Sequence, residues 1–313
     1  MNTTHRRGAV GAGSAMFLVG TLTAVSATIS GYPVFGGQAV RYAVAAVILL
    51  AVARFAGGPA RRPAARDWAL LAALAATGLV AFNVCIVAAT ADTSPATIGT
   101  VIAAVPIVLA LAGPLLEGRA PAPGVIAAAC AVAAGAALAG GLGGGSVRGL
   151  LLSLGALAGE VCFSLLAVPL LPRLGPLRVS AYSAALAAPM LLAAGLVADG
   201  TAVLRVPTAA EAAGFGYLTV VVTTIAFLLW YDAIGRLGAD RAGLFAGLVP
   251  VSALATTVVL GLGRPGAAEL AGAALVAAGV AAGMRAQVAP REPALPEPVA
   301  CEAAPIGIAR GSA

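Results

Sequence analysis

Two stretches, ATADTSPATIGTVIAAVPI at residues 89–107 and AIGRLGADRAGLFAGLVPV at residues 233–251, decide how this chain folds. At an offset of 144 residues Ala89 meets Ala233, Gly99 meets Gly243, Val105 meets Val249 and Pro106 meets Pro250. Gly118-Arg119 and Gly263-Arg264 then correspond with one residue of slip. In a chain this rich in Ala and Gly, the four identities weigh less than a proline set deep inside an apolar run in both places. An interior proline costs a soluble helix about 3 kcal/mol. In a membrane helix, neighbouring groups re-satisfy the freed carbonyl, and the proline marks a kink. The two stretches predict a duplicated, kinked membrane helix.

Composition agrees. Of 313 residues 61% are hydrophobic and 10% charged, with a mean hydropathy of +1.02. Soluble domains carry roughly 25% charged residues, and a globule of this length could not cover its core with so few. The chain reads as an all-α polytopic membrane protein. Its net charge of +6 is not a nucleic-acid signal, because no basic residues alternate with aromatics on one face. Cys85, Cys130, Cys162 and Cys301 lack metal-ligand spacing, so no metal or other cofactor is expected. His5 belongs to the basic N-terminus.

Apolar runs of about 20 residues predict ten transmembrane helices, at 10–30, 33–53, 67–90, 94–116, 124–142, 149–170, 179–198, 211–235, 240–262 and 268–285. The first resembles a secretory signal, with Ala-Val-Ser-Ala at 24–27, but nine spans follow it and it is read as an uncleaved helix. The domains expected are an N-terminal tail at 1–9, a five-helix repeat at 10–142, a second at 149–285 and a disordered tail at 286–313. Gly140 to Ser146 forms a flexible connection between the repeats. With the N-terminus inside, Arg6, Arg7, Arg54, Arg61, Arg62, Arg66, Arg119, Arg173, Arg178, Arg236, Arg241, Arg285, Arg291 and Arg310 fall on the cytoplasmic side. Only Arg148, Arg205 and Arg264 fall outside. The positive-inside rule therefore predicts N-in and C-in. Pro106 and Pro250 lie five spans apart. An odd number of crossings reverses direction, so the repeats are inverted, a recurring plan of secondary transporters. Gly243/Gly247 and Gly279/Gly283 read as close helix packing rather than as a dimer motif; a homodimer stays open as a separate expectation.

Charges within a span are costly and must be paired or face water. Arg41 lies about 8 residues into the second span and Glu160 about 11 into the sixth, at depths of roughly 12 and 16 Å. Glu160 is a candidate substrate contact or proton-coupling site; the alternatives are an ion pair with Arg41 or a neutral acid bonded to backbone. Ser153, Ala156, Phe163 and Ser164 share the face of Glu160. Asn83 and Thr90 share a face of the third span, where Asn83 serves as helix glue or as a substrate contact. Thr219, Thr223, Phe227 and Tyr231 form a stripe on the eighth. An interfacial aromatic belt accounts for Trp230 and Tyr231. Asp232 is solvated or pairs with Arg236, while Asp92, Asp199 and Glu211 are external loop or helix-end charges.

Several motifs in both halves resemble the ten-helix EamA-type members of the drug/metabolite transporter superfamily. They are Pro33 followed by Arg41-Tyr42; Ala88-Ala89, Ser94-Pro95-Ala96 and Val105-Pro106; Trp230-Tyr231-Asp232-Ala233; Leu248-Val249-Pro250-Val251; and Leu262-Gly263-Arg264-Pro265 with Gly272 and Gly279-Val280. The resemblance implies export of a small metabolite without ATP. It favours a structural or gating role for Arg41, with Pro106 and Pro250 as kink or gating positions. Where the family usually has a Gly-Glu pair after each proline-bearing helix, this chain has Gly118-Arg119 and Gly263-Arg264.

Together these features predict a secondary transporter in the cytoplasmic membrane. It would move an amino-acid-like or amphiphilic metabolite outward by alternating access, with a proton as coupling partner at Glu160. An importer on the same scaffold and a non-transporting membrane scaffold or sensor are the alternatives. An intramembrane enzyme would need a polar catalytic set within the spans. The only histidine is His5 and paired intramembrane acids are absent, so the chain is read as a non-enzyme.

Overall fold

The computed structural model describes residues 3–22, 25, 28–55, 62–141, 144–261 and 264–286. The predicted C-terminal tail beyond 286, Cys301, Gly263 and most of Ala-Val-Ser-Ala at 24–27 lie outside the described residues. Among the described residues ten helical segments follow in order: α1 (Thr3–Gly20), α2 (Val34–Phe55), α3 (Ala65–Ala89), α4 (Pro95–Leu116), α5 (Pro123–Gly140), α6 (Val147–Leu165), α7 (Leu171–Asp199), α8 (Ala209–Leu237), α9 (Ala239–Val259) and α10 (Ala267–Arg285). Nine of them, α2 to α10, are long and apolar enough to cross a bilayer. Among the described residues there is no strand, only an isolated bridge between Thr93 and Gly145.

α1 starts seven residues before the apolar pattern does and takes in Arg6 and Arg7. Its early start is held by packing: a methyl on Gly8 would meet Leu237 Cγ at 2.8 Å. Within α7 the chain kinks at Gly175, whose φ of 74° suits glycine.

Each proline-bearing span breaks just before its proline. In α4, Pro95–Ile102 gives way to Val105–Leu116 across Ala103-Ala104. In α9, Ala239–Gly243 passes through a 3-10 turn at Leu244–Gly247 into Leu248–Val259. Pro106 and Pro250 thus sit in the first turn of a new helical segment, where no backbone N–H is needed. A second matched irregularity was not visible in the sequence. α3 is π-helical over Ala75–Ala81 and α8 over Leu218–Ile225; at an offset of 144 the first maps onto 219–225, within the second.

Contacts between repeat-related positions demonstrate the inversion. A methyl on Gly135 of α5 would lie 2.8 Å from the Gly272 carbonyl oxygen of α10, and one on Gly279 would lie 3.1 Å from that of Ala128. Since 279 − 135 = 272 − 128 = 144, these are the same contact seen from either repeat. Along the pair Gly135 meets Gly272 while Ala128 meets Gly279 and Gly283, so the two helices run antiparallel. α2 and α7 are likewise antiparallel, with Phe35 against Gly195. α1 packs on α8 and α6 on α3, each across the boundary between repeats: Gly11 faces Leu229 and Gly155 faces Cys85, again 144 apart on both sides.

The bundle is tight at the arginine-rich end and looser at the other. In α4, Val105, Pro106, Leu109, Ala110, Gly113 and Pro114 are buried, but in Pro95–Ile102 only Ile98 is. In α9, Ala239, Asp240, Ala242, Gly243, Leu244, Phe245 and Gly247 are buried, whereas Ser252 stands alone in Leu248–Val259. The buried segments touch each other: a methyl on Gly243 would meet Leu109 Cδ1 at 2.8 Å, and one on Gly113 the Asp240 amide at 3.2 Å. The outer segments of α4 and α9 make no comparable contact.

Candidate functional site

Glu160 stands on α6, half-buried. Its neighbours on the helix, Ser153, Ala156, Phe163 and Ser164, are buried. Phe163 joins three other rings. Its centroid is 5.0 Å from Tyr231 and 4.9 Å from Phe227, and Phe227 lies 6.2 Å from Tyr42 of α2. Tyr231 lies within electrostatic range of Glu160 and Tyr42 and near Ser183 of α7, and its hydroxyl donates to the Phe163 carbonyl oxygen at 3.4 Å. Four spans, α2, α6, α7 and α8, therefore converge on one aromatic cluster with a carboxyl at its edge.

Trp230 and Tyr231 do not form an interfacial belt. They are 2% and 0% exposed, and the Trp230 indole N–H donates to Ser164 Oγ at 3.2 Å. The apolar bodies are core material, and their polar tips find partners on α6. Of the α8 stripe, Thr219, Thr223 and Tyr231 are buried and Phe227 is half-buried. Across the π segment Thr224 Oγ1 donates to the Thr219 carbonyl at 2.8 Å. Thr223 is fully buried and its hydroxyl has no partner.

Arg41 and Glu160 form no ion pair with each other, and Glu160 makes no hydrogen bond or ion pair among the described residues. Arg41 is buried at 8% exposure. One of its terminal nitrogens donates to Tyr42 Oη at 2.8 Å, and the guanidinium lies 4.7 Å from that ring centroid. Asn83 stays outside the cluster; its amide donates to the Leu79 carbonyl one turn back at 2.6 Å. Subtracting 144 from Glu160, Phe163, Phe227 and Tyr231 gives Met16, Val19, Asn83 and Val87. The site is thus built on one side of a symmetric frame. Asp232 pairs with Arg236 at 2.6 Å.

Two further ion-pair clusters lie toward the ends. At the arginine-rich end Arg119 binds Glu117 at 2.7 Å and approaches Asp240 at 3.7 Å. This joins the α4–α5 loop of one repeat to the α8–α9 turn of the other. The turns at Gly118 (φ 67°) and Gly238 (φ 84°) bring these groups together. At the opposite end Arg205 is clamped to Glu211, stacks 4.8 Å from the Tyr32 ring centroid and donates to the Gly31 carbonyl. The Glu211 hydrogen bond holds the Arg205 guanidinium above its usual pKa. Glu211 is more than a loop charge: with Thr208 it closes a capping box on α8. No group of three or more metal-ligating side chains occurs among the described residues.

Each half of the duplicated bundle matches one known family. Its model, the EamA-like transporter family, matches residues 6–141 and 147–283. The chain belongs to the EamA-like transporter family. A relative in Bacillus subtilis (strain 168), named uncharacterized transporter YetK, is 26% identical over 257 residues, which is 79% of this chain and 77% of that protein. One solved crystal structure of a protein superposes at a TM-score of 0.76, covering 88% of this chain and 96% of that one at 21% identity, a likeness of fold alone. As an EamA-like protein the chain is a multi-pass membrane transporter.

Proposed function

We propose that this EamA-like protein is a secondary exporter of a small amino-acid-like or amphiphilic metabolite, and that Glu160 is its coupling group. The reading rests on a carboxyl without an ion pair, half-buried on the helix that also carries Phe163 of the aromatic cluster, and within electrostatic range of Tyr231. A charge in that position is costly unless it has a task, and the rings offer a surface for the organic part of a substrate. On an N-in and C-in orientation the tight end would face the cytoplasm, and the reading takes this arrangement as the state closed on the inside. Parting the Arg119 cluster while the outer segments of α4 and α9 approach each other would give the reciprocal state. Pro106 and Pro250 stand where each span changes direction, the places about which these segments would swing. Glu160 takes a proton from one side and yields it to the other, and the cytoplasmic membrane supplies the gradient.

The test is flux in proteoliposomes with a panel of amino acids and amphiphilic amines, with and without an imposed pH gradient. The wild type should move at least one compound faster under the gradient. Glu160→Gln should lose that acceleration while keeping its thermal stability, because no partner is broken. A Glu160→Gln protein with unchanged, gradient-driven flux would refute the assignment.

A further inference from the structure

We infer that Arg41 is an anion-binding residue and seats the carboxylate of the transported molecule. The inference rests on the transport reading and narrows its substrate to a carboxylate-bearing compound. Arg41 is the one arginine classed as buried among the described residues. Other arginines in the bundle are engaged: Arg119, Arg148, Arg173, Arg205 and Arg236 hold carboxylates, and Arg241 donates to the Ala286 carbonyl. Arg6, Arg7, Arg54, Arg62, Arg66, Arg264 and Arg285 are exposed. Arg41 has neither solvent nor a carboxylate. Its one hydrogen bond goes to a neutral phenol, and its Nε is buried without a partner.

The surroundings repeat this pattern. Gln38, three residues earlier on α2, has a buried Oε1 with no partner, and so does the Thr223 hydroxyl on α8, whose π segment packs against α2. Buried polar groups in native proteins are nearly always bonded. Three orphan groups on two touching spans mark a place for a polar ligand. A guanidinium presents paired N–H groups that match a carboxylate, and a hydroxyl could add a third donor. From there the Tyr42 ring leads to Phe227 and Phe163, and on to Tyr231, within electrostatic range of Glu160. A molecule anchored at Arg41 would lay its apolar part along these rings, with any ammonium group toward Glu160. The bound molecule would neutralise a buried cation, so binding and burial reinforce each other.

The test measures binding to the purified full chain by thermal stabilisation, independently of flux. The probes are L-phenylalanine, its amide, phenethylamine and 3-phenylpropionate, which share a ring and differ in the carboxylate. Stabilisation by L-phenylalanine and 3-phenylpropionate is expected. In Arg41→Gln their affinity should fall about ten- to a hundredfold, the range for a charge-assisted hydrogen bond, with phenethylamine unaffected. Arg41→Lys should retain part of the binding. Without any probe, Arg41→Leu should match or exceed the wild type in thermal stability, since it removes an unneutralised charge, whereas a structural arginine would show a clear loss. Equal weakening of all four probes, no carboxylate-dependent stabilisation of the wild type, or a marked fall in Arg41→Leu stability would each overturn the assignment. Repeating the wild-type measurement in phosphatidylglycerol and phosphatidylcholine vesicles separates a lipid source. Arg41-dependent stabilisation by phosphatidylglycerol that the carboxylates fail to displace would place a headgroup there and refute the substrate role. Loss of gradient-driven flux in Glu160→Gln with carboxylate binding intact would show that the coupling and anion sites are separate.

Discussion

Replacing Arg119 with alanine should release the closed end of the bundle. The Arg119 side chain is 16% exposed, against 29% for Glu117 and 2% for Asp240. Exposed pairs contribute about 0–1 kcal/mol, while removing one partner of a buried pair costs about 3–5 kcal/mol. The Arg119 cluster lies between these cases. Its short contact is to the more exposed acid, and its contact to the buried one is long, at 3.7 Å. A cost of about 1–3 kcal/mol to the closed state follows, which shifts the closed-to-open ratio by about 5- to 150-fold. Spin labels at Ala120→Cys and Gly235→Cys, in a chain stripped of Cys85, Cys130, Cys162 and Cys301, would report the change by pulsed EPR in lipid. Both positions are exposed, and a side chain at Gly235 meets open space. Arg119→Ala should populate a longer distance that is minor in the wild type. Glu117→Gln should shift the distribution less, because Arg119 keeps Asp240. Superimposable distributions for wild type and Arg119→Ala would show that the cluster does not hold the gate, and would refute the reasoning.

The glycines joining α5 and α10 should tolerate no side chain. Gly135→Ala and Gly279→Ala each drive a methyl against backbone and should destabilise by about 1–3 kcal/mol, read as lower melting temperatures in detergent, with similar losses because the contacts are repeat-related. Gly272→Ala, whose methyl would lie 2.5 Å from the Ala139 amide and 2.6 Å from the Gly135 carbonyl oxygen, should cost at least as much. Arg205→Met removes a partly exposed clamp and its stack on Tyr32. With Arg205 41% exposed, the loss of melting temperature should be small, and it should shrink in high salt.

Hydropathy, arginine bias and the repeated proline made the ten spans and their inversion legible, because lipid imposes length and polarity on every crossing. The early start of α1 was hidden, since residues 3–9, TTHRRGA, are mostly polar and basic and the deciding contact, Gly8 on Leu237, is tertiary. Glu160 and Arg41 were legible as charges in apolar runs. Their separation was not, because facing directions depend on how α2 and α6 pack. The π segments carry no composition that distinguishes them from ordinary helix, so the widened turns of α3 and α8 were not legible. Trp230 and Tyr231 were assigned to the membrane interface from their place near a span's end; only Ser164 and Phe163, some 66 to 68 residues away, show that they point inward. Arg119 stood out as a departure from the family pattern, yet its partner Asp240 could be identified only once α4 and α9 were seen to meet.

The widened turns of α3 and α8 carry a record of descent. A π turn takes up one more residue than the helix around it, and such a change is rare. Two separate events landing at overlapping places in the repeat, Ala75–Ala81 in one span and Leu218–Ile225 in the other, would be a coincidence. A single event in a five-helix ancestor, copied when its gene doubled, needs none. The aromatic cluster shows the opposite history: its counterparts Met16, Val19, Asn83 and Val87 are plain, so the rings and the acid were acquired, or lost from one copy, after the doubling.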